Sequence, residues 1–479
     1  MMVELKVIKS LSVTASSEHS EQMGLLGFSR FSLSMSNIFI FKLLPCMPTS
    51  LIIITYTILY INLGRTGQST QSLPRCRRDD TYKMNLIVIL TFCYAFSNAA
   101  SEFSGRARNF SLELLQFTQL ETDGHVVISP FGIWTLLTGI ALGASGKSKT
   151  QISHALFLPR NQKAIINGYA NLTESVLDPT STDVQLASKN FMFLDRDFHV
   201  YPEFRSVMTN DFNAMISNLN FKDPTAAAQT ANALINNSGA KVSNVLTSDD
   251  FTNSRLILTN AITFRGLWQS PFNETDTSEE KFYNEDNKEV GRVNMMYQRG
   301  RLPYSNIREL KSLVMELPYG KEGKYVMLVV LPHPKVKVYD VYQQFQTVTF
   351  SEIFTRLQDD VDNFGLEDID IKLPRFKIST NVVMNGPLIK MGVVDIFDQN
   401  KASFDRISPE SIYVSAIVHK ADIEVTESGT VASAESTAYF ADRISTPRFN
   451  ANRPFLYFIM EKATETVIFS GIYSKPSVF

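Results

Sequence analysis

The chain has 479 residues, of which 44% are hydrophobic and 20% are charged, and its formal net charge is −2. This composition is that of a globular protein with a large core, and it lacks the basic excess that is typical of nucleic-acid binding. The three cysteines, Cys46, Cys76 and Cys93, all precede residue 100. The rest of the chain therefore has no disulfide and depends on its core for stability.

Residues 1–83 are rich in Ser, Thr, Ile and Leu and show no sustained helical or strand periodicity. They include an uncharged apolar run, Thr49 to Leu63, whose length of about 15 is short of the roughly 20 residues that a spanning helix needs. We interpret residues 1–83 as an N-terminal extension that is absent from the mature protein. The alternative is a signal-anchor at Thr49 to Leu63, oriented by the arginines that follow it.

Residues 84–100 (MNLIVILTFCYAFSNAA) follow Lys83 and form a short apolar stretch that ends in the small residues Ser97 and Ala99. A charged start, an apolar middle and a small-residue exit are typical of a cleavable secretory signal peptide. We therefore predict a secreted protein whose mature body spans residues 101–479. Four glycosylation sequons agree with export, at Asn109, Asn171, Asn236 and Asn273.

The mature body contains no repeat and no Pro/Gly-rich linker, which predicts a single domain. Its first half is mostly helical in pattern, and its second half contains four strand-rich stretches, at 313–331, 369–378, 416–425 and 454–472. This order indicates an α+β fold with large, mostly antiparallel sheets.

Enzyme and metal motifs are incomplete in this chain. Gly146, Lys147 and Ser148 match the end of a phosphate-binding loop, but the glycine that this motif requires at position 141 is alanine. The sequence has no GxSxG nucleophile elbow and no HExxH zinc motif. We predict that the protein is not an enzyme and needs neither a cofactor nor a metal.

The stretch from Glu427 to Arg443 (ESGTVASAESTAYFADR) has small, uncharged side chains at every second position from Thr430 to Ala438. Successive side chains of a strand point to opposite faces, so this alternation suits a segment that slides into a sheet. Arg443-Ile444 is also a bond that a trypsin-like protease accepts. An ordinary exposed loop is the alternative for such a composition, and the flanking segments decide between the two. The small positions are Thr430, Ala432, Ala434, Ser436 and Ala438.

The segments AIVHKADIEVTESGT (416–430) and NRPFLYFIMEKATETVIFSGIYSKP (452–476) resemble the hinge and the C-terminal strands of the serpin family. In that family the cleaved bond falls fourteen residues after the hinge glycine and eleven before the proline of the closing PF. Counting forward from Gly429 and back from Pro454 by those intervals gives Arg443 both times. The resemblance covers about residues 105–476.

This resemblance implies a serpin fold, in which three β-sheets are surrounded by eight or nine helices and a reactive-centre loop, about 427–454, is exposed. It also implies that a protease serine attacks the Arg443 carbonyl and that the freed loop inserts into the main sheet. We therefore expect a monomeric, secreted inhibitor of trypsin-like serine proteases. A non-inhibitory serpin that acts as a carrier, chaperone or storage protein is the alternative.

The segment HVVISPFGI (125–133) resembles the family segment beneath the opening of the main sheet. Ser129 and Pro130 match the family, whereas His125 replaces an asparagine and Gly132 replaces a serine. His419 matches a family histidine. If His125 and His419 are neighbours, their hydrogen bonding must differ from the family's, because two buried imidazoles cannot both be charged. The alternative is that each is satisfied separately in the core.

Two further segments complete the resemblance. TNAITFRGLWQSPF (259–272) resembles the sheet strand that contains Asn260 and ends at Trp268. LPRFKI (373–378) has Arg375 where the family usually has a lysine, which predicts an ion pair with the hinge residue Glu427. The resemblance thus assigns the hinge to Glu427, Gly429, Thr430, Ala432 and Ala434.

Overall fold

The computed structural model describes residues 110–122, 124–178, 182–238, 242–430 and 447–477. The proposed extension (1–83), the proposed signal peptide (84–100) and the sequon residue Asn109 lie outside this part of the chain. So do the loop residues Ala432, Ala434, Arg443 and Ile444. All described residues belong to one compact unit.

Ten α-helices are present among the described residues, close to the eight or nine expected. Proline at the first turn favours the starts of α2, α5 and α6, because its missing N–H has no partner there in any helix. The helices are residues 110–119 (α1), Pro130–Gly143 (α2), Gly146–Ala155 (α3), Gln162–Val176 (α4), Pro202–Asn210 (α5), Pro224–Asn236 (α6), Ser248–Phe251 (α7), Val338–Gln344 (α8), Phe350–Phe364 (α9) and Asn385–Lys390 (α10).

Sixteen strands are present in the same part of the chain. They are Val126–Ile128 (β1), Val184–Asp195 (β2), Ala214–Leu219 (β3), Leu256–Leu267 (β4), Ser278–Tyr283 (β5), Glu289–Gly300 (β6), Tyr304–Ile307 (β7), Ser312–Tyr319 (β8), Tyr325–Pro332 (β9), Ile369–Pro374 (β10), Phe376–Val383 (β11), Val414–Val425 (β12), Gly429–Thr430 (β13), Arg448–Asn450 (β14), Phe455–Glu461 (β15) and Thr466–Tyr473 (β16).

The strands form three sheets, as expected. One has the order β1-β16-β15-β9-β8-β7, and a second has the order β14-β10-β6-β5. The third, which we call the main sheet, has the order β11-β12-β4-β2-β3, with β13 paired to β4. Most pairs are antiparallel, and the parallel exceptions are β12 with β4, β2 with β3, and β10 with β14. The predicted α+β fold is therefore confirmed.

The largest core cluster includes residues of α2, of the main sheet and of the sheet that contains β15 and β16. Every residue of β9, β15 and β16 is buried, which explains their nearly continuous apolar sequences. Helix α2 is buried on all sides and packs against both β4 and β16. A helix that is apolar all round is typical of such a central position.

Within the described ranges, no helix has the length and hydropathy that crossing a bilayer requires. The same residues contain no group of three or more His, Cys, Asp and Glu side chains arranged to hold a metal ion.

Candidate functional site

The main sheet is only partly closed between its parallel strands β4 and β12. Val414–His419 pairs with Leu256–Asn260, and we call this part the lower seam. Beyond it, β12 continues to Val425 and β4 to Leu267, but no pairing between the two is present among the described residues. We call this part, Ala421–Val425 facing Ala261–Leu267, the upper seam.

The chain turns back into the upper seam directly after β12. The Thr426 N–H donates to the Gly429 carbonyl (2.8 Å), and the Gly429 N–H donates to the Thr426 carbonyl (3.2 Å). This turn sends β13 antiparallel along the end of β4, with Gly429 opposite Leu267 and Thr430 opposite Gly266. The first two residues after the turn therefore already occupy the upper seam.

This placement corrects one expectation. The sequence predicted an exposed loop starting at about residue 427, whereas Glu427, Ser428, Gly429 and Thr430 are all buried. The reason is the turn at Thr426, which folds the next residues into the sheet instead of releasing them to solvent. At the other end, residues 448–450 form β14, so this part of the expected loop is also ordered strand.

Only glycine fits at position 429. Its φ is +141°, a backbone conformation that side chains with a Cβ rarely adopt. A Cβ there would also lie 2.2 Å from the Gly266 carbonyl oxygen and 2.8 Å from the Leu267 Cα. The hinge glycine is thus required both by its own conformation and by the close approach of β4.

Thr430 is held by an aromatic pair. Its side chain is buried, and its Oγ1 lies 2.8 Å from the Tyr319 hydroxyl. Tyr319 stacks on Trp268 at 4.3 Å between ring centroids, and the Trp268 Nε1–H donates to the Thr426 carbonyl (3.0 Å). Burial raises the pKa of Tyr319, which therefore stays protonated and able to donate. Trp268 and Tyr319 together fix both ends of the hinge turn.

The contact predicted between Arg375 and Glu427 is present, with Nη1 3.7 Å from Oε2. That distance is longer than a hydrogen bond, so the contact is an ion pair. The Glu427 side chain is only 3% exposed, whereas that of Arg375 is 35% exposed. A second partner was not predicted: the Thr277 hydroxyl donates to Glu427 Oε1 at 2.7 Å.

The lower seam is held by buried side-chain hydrogen bonds. His419 Nε2 accepts from the Ser129 N–H (2.8 Å), and burial lowers the pKa of His419 to about 3, so the ring is neutral. The Ser129 hydroxyl donates to the Ile468 carbonyl (2.7 Å) and accepts from the Gly132 N–H (3.1 Å) at the start of α2. Across the seam, the Thr259 hydroxyl donates to the Val418 carbonyl (2.7 Å).

Asn260 extends this network towards β2. Its Nδ2 donates to Asn190 Oδ1 (2.8 Å) and to Ser188 Oγ (3.1 Å). A Cβ on Gly132 would lie 2.1 Å from Asn260 Oδ1. The glycine that replaces a family serine therefore leaves the space that the Asn260 side chain occupies.

His125 and His419 have separate partners. His125 Nδ1 accepts from the Ser474 N–H (3.3 Å), and its ring packs on Tyr473 at 4.9 Å between centroids. Burial, and then the charge of Lys475, lowers the pKa of His125. The two histidines thus have separate partners, but one ring nitrogen of each, His125 Nε2 and His419 Nδ1, is buried without a hydrogen-bond partner among the described residues. The hydrogen bond from Ser129 to His419 is thus made without His125.

Three of the four sequon asparagines lie in the described part of the chain. Asn171 in α4 and Asn236 at the end of α6 are exposed. Asn273 is half-buried, and its side-chain oxygen accepts from the Thr275 N–H (3.1 Å). Asn171 and Asn236 are therefore the more accessible of these acceptors.

Residues 106–476 match the family model described as "Serpin (serine protease inhibitor)". The leukocyte elastase inhibitor of Bos taurus is 31% identical over 78% of this chain and 100% of its own length. Serpin B9 of Homo sapiens is 30% identical over 78% of this chain and 99% of its own length.

Solved structures agree in fold. Human glycosylated kallistatin superposes with a TM-score of 0.70 at 24% identity, covering 80% of this chain and 100% of kallistatin. Native protease nexin-1 with heparin gives a TM-score of 0.67 at 26% identity, covering 79% of this chain and 100% of the nexin.

Proposed function

The chain belongs to the serpin family of serine protease inhibitors, and from this premise we propose that it inhibits trypsin-like serine proteases as a suicide substrate. One observation gives the main support to an inhibitory rather than a non-inhibitory serpin. The upper seam is unpaired between β4 and β12, and the hinge residues Gly429 and Thr430 already lie in it. A strand that continues from Thr430 would extend pairing that has already begun.

In the proposed mechanism, the S1 pocket of the protease binds Arg443 and the protease serine attacks the Arg443 carbonyl carbon. The Arg443–Ile444 bond breaks, Ile444 leaves as a new amino terminus, and Arg443 remains esterified to the serine. The released segment after Thr430 then runs antiparallel between β4 and β12. This insertion carries the protease with it before water completes the hydrolysis.

The geometry of the upper seam favours insertion energetically. The backbone groups of β4 and β12 that face each other gain partners from the new strand, at about 0.5–1.5 kcal/mol net for each hydrogen bond. Thr430 points at Tyr319, so every second residue after it would point to the same face. Ala432 and Ala434 are at those positions, and their small side chains need little space.

We further propose that the protein is exported by the signal peptide at residues 84–100, acts as a monomer and carries glycans at Asn171 and Asn236. The name of one relative differs from the expected target class: it is called an inhibitor of leukocyte elastase, whereas an arginine at the cleaved bond favours a trypsin-like target. The identity of the cleaved bond therefore decides the protease class.

The test is incubation with trypsin, followed by denaturing electrophoresis and mass spectrometry of the released peptide. A complex that survives denaturant, together with a new amino terminus at Ile444, is the expected result. Arg443→Ala is the matched control and should lose reaction with trypsin. Cleavage at Ile444 without a complex would instead favour the carrier or storage alternative.

A separate experiment tests whether the protein is exported. Expression of the full chain in a secretory cell should give a protein in the medium whose amino terminus lies near Ser101. Retention in the membrane fraction with residues 49–63 intact would contradict the signal peptide and support the signal-anchor alternative.

A further inference from the structure

Two large apolar side chains are exposed together at the end of α9. Phe364 is 72% exposed and Leu366 is 44% exposed. Gly365 between them has a φ of +77°, so the chain turns sharply at this point and presents both side chains on a short connection to β10. Neighbouring exposed apolar side chains are a common feature of protein interaction surfaces.

This connection lies where the reactive loop rejoins the body. The Asp370 N–H donates to the Pro447 carbonyl (3.0 Å), and Asp370 pairs with Arg448 in the parallel β10–β14 ladder. Arg443 precedes Pro447 by four residues, which span at most about 14 Å when fully extended. A protease that holds Arg443 is much wider than this span and therefore comes close to the body near Pro447 and Asp370, four residues after Leu366.

The acidic side chains around the apolar pair outnumber the basic ones, which are Arg301, Arg448 and, within α9, Arg356. Asp368 and Asp370 face arginines, with Arg301 Nε 2.9 Å from Asp368 and Arg448 Nε 3.9 Å from Asp370. Four other carboxylates have no ion pair among the described residues, and they extend the same surface along α9. They are Asp359, Asp360, Asp362 and Glu367.

Local contacts offset the charge of these acids only in part, and the shortest is the hydrogen bond that Gln358 Nε2 donates to Asp362 Oδ1 (2.8 Å). Asp362 lies in the last turn of α9, where the helix dipole disfavours a negative charge, and that turn contains no basic residue. Glu367 receives only a long hydrogen bond, 3.5 Å from the Tyr304 hydroxyl. A positively charged partner on this surface would offset the repulsion among the four carboxylates.

We propose that Phe364, Leu366 and these four carboxylates form a second docking surface for the target protease. The surface would select trypsin-like proteases that carry lysines and arginines beside the active site. This inference rests on the proposed inhibitory function, because the reach from Arg443 to Pro447 is what brings the protease there. Opposite charges would accelerate the encounter, and the apolar pair would lengthen the life of the first complex.

The experiment measures the rate constant of covalent complex formation between the full chain and thrombin, a trypsin-like protease with a basic surface beside its active site. A second thrombin, with the lysines and arginines of that surface changed to glutamine, is the matched partner. The acid variant is D359N/D360N/D362N/E367Q, and the apolar variant is F364A/L366A. E174Q/E203Q, on exposed positions of α4 and α5, is the charge control.

The acid variant should react on the order of tenfold more slowly with unmodified thrombin at low salt, and this loss should shrink as ionic strength rises. With the glutamine-substituted thrombin, the acid variant and the unmodified chain should react at nearly the same rate. The substitutions in the protease already remove the interaction that the acid variant removes. The apolar variant should also react more slowly, but with little dependence on salt. E174Q/E203Q should match the unmodified chain.

The two proposals fail in distinguishable ways. Equal rates for the unmodified chain and both variants, or complexes with trypsin but none with thrombin, would overturn the second docking surface and leave the inhibitory function in place. Absence of any covalent complex from the unmodified chain with either protease would overturn the inhibitory function, and the second docking surface with it.

Discussion

The lower and upper seams lie between the same two strands but are held together in different ways. The lower seam is closed by backbone pairing and by the buried hydrogen bond that Thr259 donates to Val418, and the Ser129 N–H donates a further buried hydrogen bond to His419. In the upper seam, β4 and β12 do not pair with each other, and Gly429 and Thr430 are the described residues that pair with β4 there, next to Tyr319 and Trp268. One sheet therefore contains a part that already accepts a strand and a part that must first open.

This difference separates two steps of the proposed mechanism. The fit of the loop residues in the upper seam determines whether insertion can begin. The hydrogen bonds of the lower seam determine how readily it can be completed, because Ser129, Thr259 and His419 must give up contacts that are buried. Variants in the two seams should consequently change different measured quantities.

Thr430→Arg should have the largest effect, because it blocks the upper seam. Thr430 is 2% exposed and contacts Tyr319, so an arginine there would bring an unpaired charge into the sheet at a cost of several kcal/mol. The protein should remain folded, with residues 429 and 430 expelled, and become a substrate. The measurement is the ratio of covalent complex to cleaved protein after reaction with trypsin.

Thr430→Ser is the matched control, since it keeps the hydroxyl that meets Tyr319. It should form nearly as much complex as the unmodified chain. If Thr430→Arg forms complex at full stoichiometry, the upper seam is not where the loop inserts.

The strand-rich stretches of the sequence predicted the α+β fold, and the resemblance to the serpin family predicted the three sheets and the hinge contact of Glu427 with Arg375. The sequence did not predict the partners Tyr319 and Thr277, which are distant in sequence from the residues they contact. Their positions depend on how three sheets pack, and no local pattern encodes that packing. The burial of residues 427–430 was missed for the same reason.

Gly132 and His125 also have contacts that depend on tertiary packing and that the sequence did not predict. Gly132 was recognised as a departure from the family pattern, but its cause, the Asn260 side chain, follows from the packing of α2 against β4. For His125 the sequence left open whether it lies beside His419 or has separate partners. Its position beside Tyr473 depends on the pairing of β1 with β16, which lies in another sheet.

His419 should make the lower seam sensitive to acid. Its pKa of about 3 in the folded protein is below the ordinary value of 6.5, so the unfolded chain binds the proton first as the pH falls. The stability that neutral His419 contributes is therefore complete above about pH 6.5 and is lost towards pH 3, by up to about 1.4 kcal/mol per pH unit. Urea unfolding at several pH values measures this slope.

His419→Gln is the control, because its amide oxygen can accept from the Ser129 N–H and does not titrate. The variant should show a shallower loss of stability between neutral pH and pH 5 than the unmodified chain. Identical slopes for the two proteins would exclude His419 as the source of the acid sensitivity.

The smallest effect should come from the ion pair at the edge of the upper seam. Arg375 is about one-third exposed and lies 3.7 Å from Glu427, so solvent screens the pair, and Arg375→Gln should lower the free energy of unfolding by about 1 kcal/mol or less. Thr277→Val removes a 2.7 Å hydrogen bond to the same buried carboxylate and should cost more, about 1.5–3 kcal/mol. Urea unfolding of both variants decides which partner holds Glu427. A larger loss from Arg375→Gln would show that the charge, and not the hydroxyl, fixes the hinge at the mouth of the upper seam.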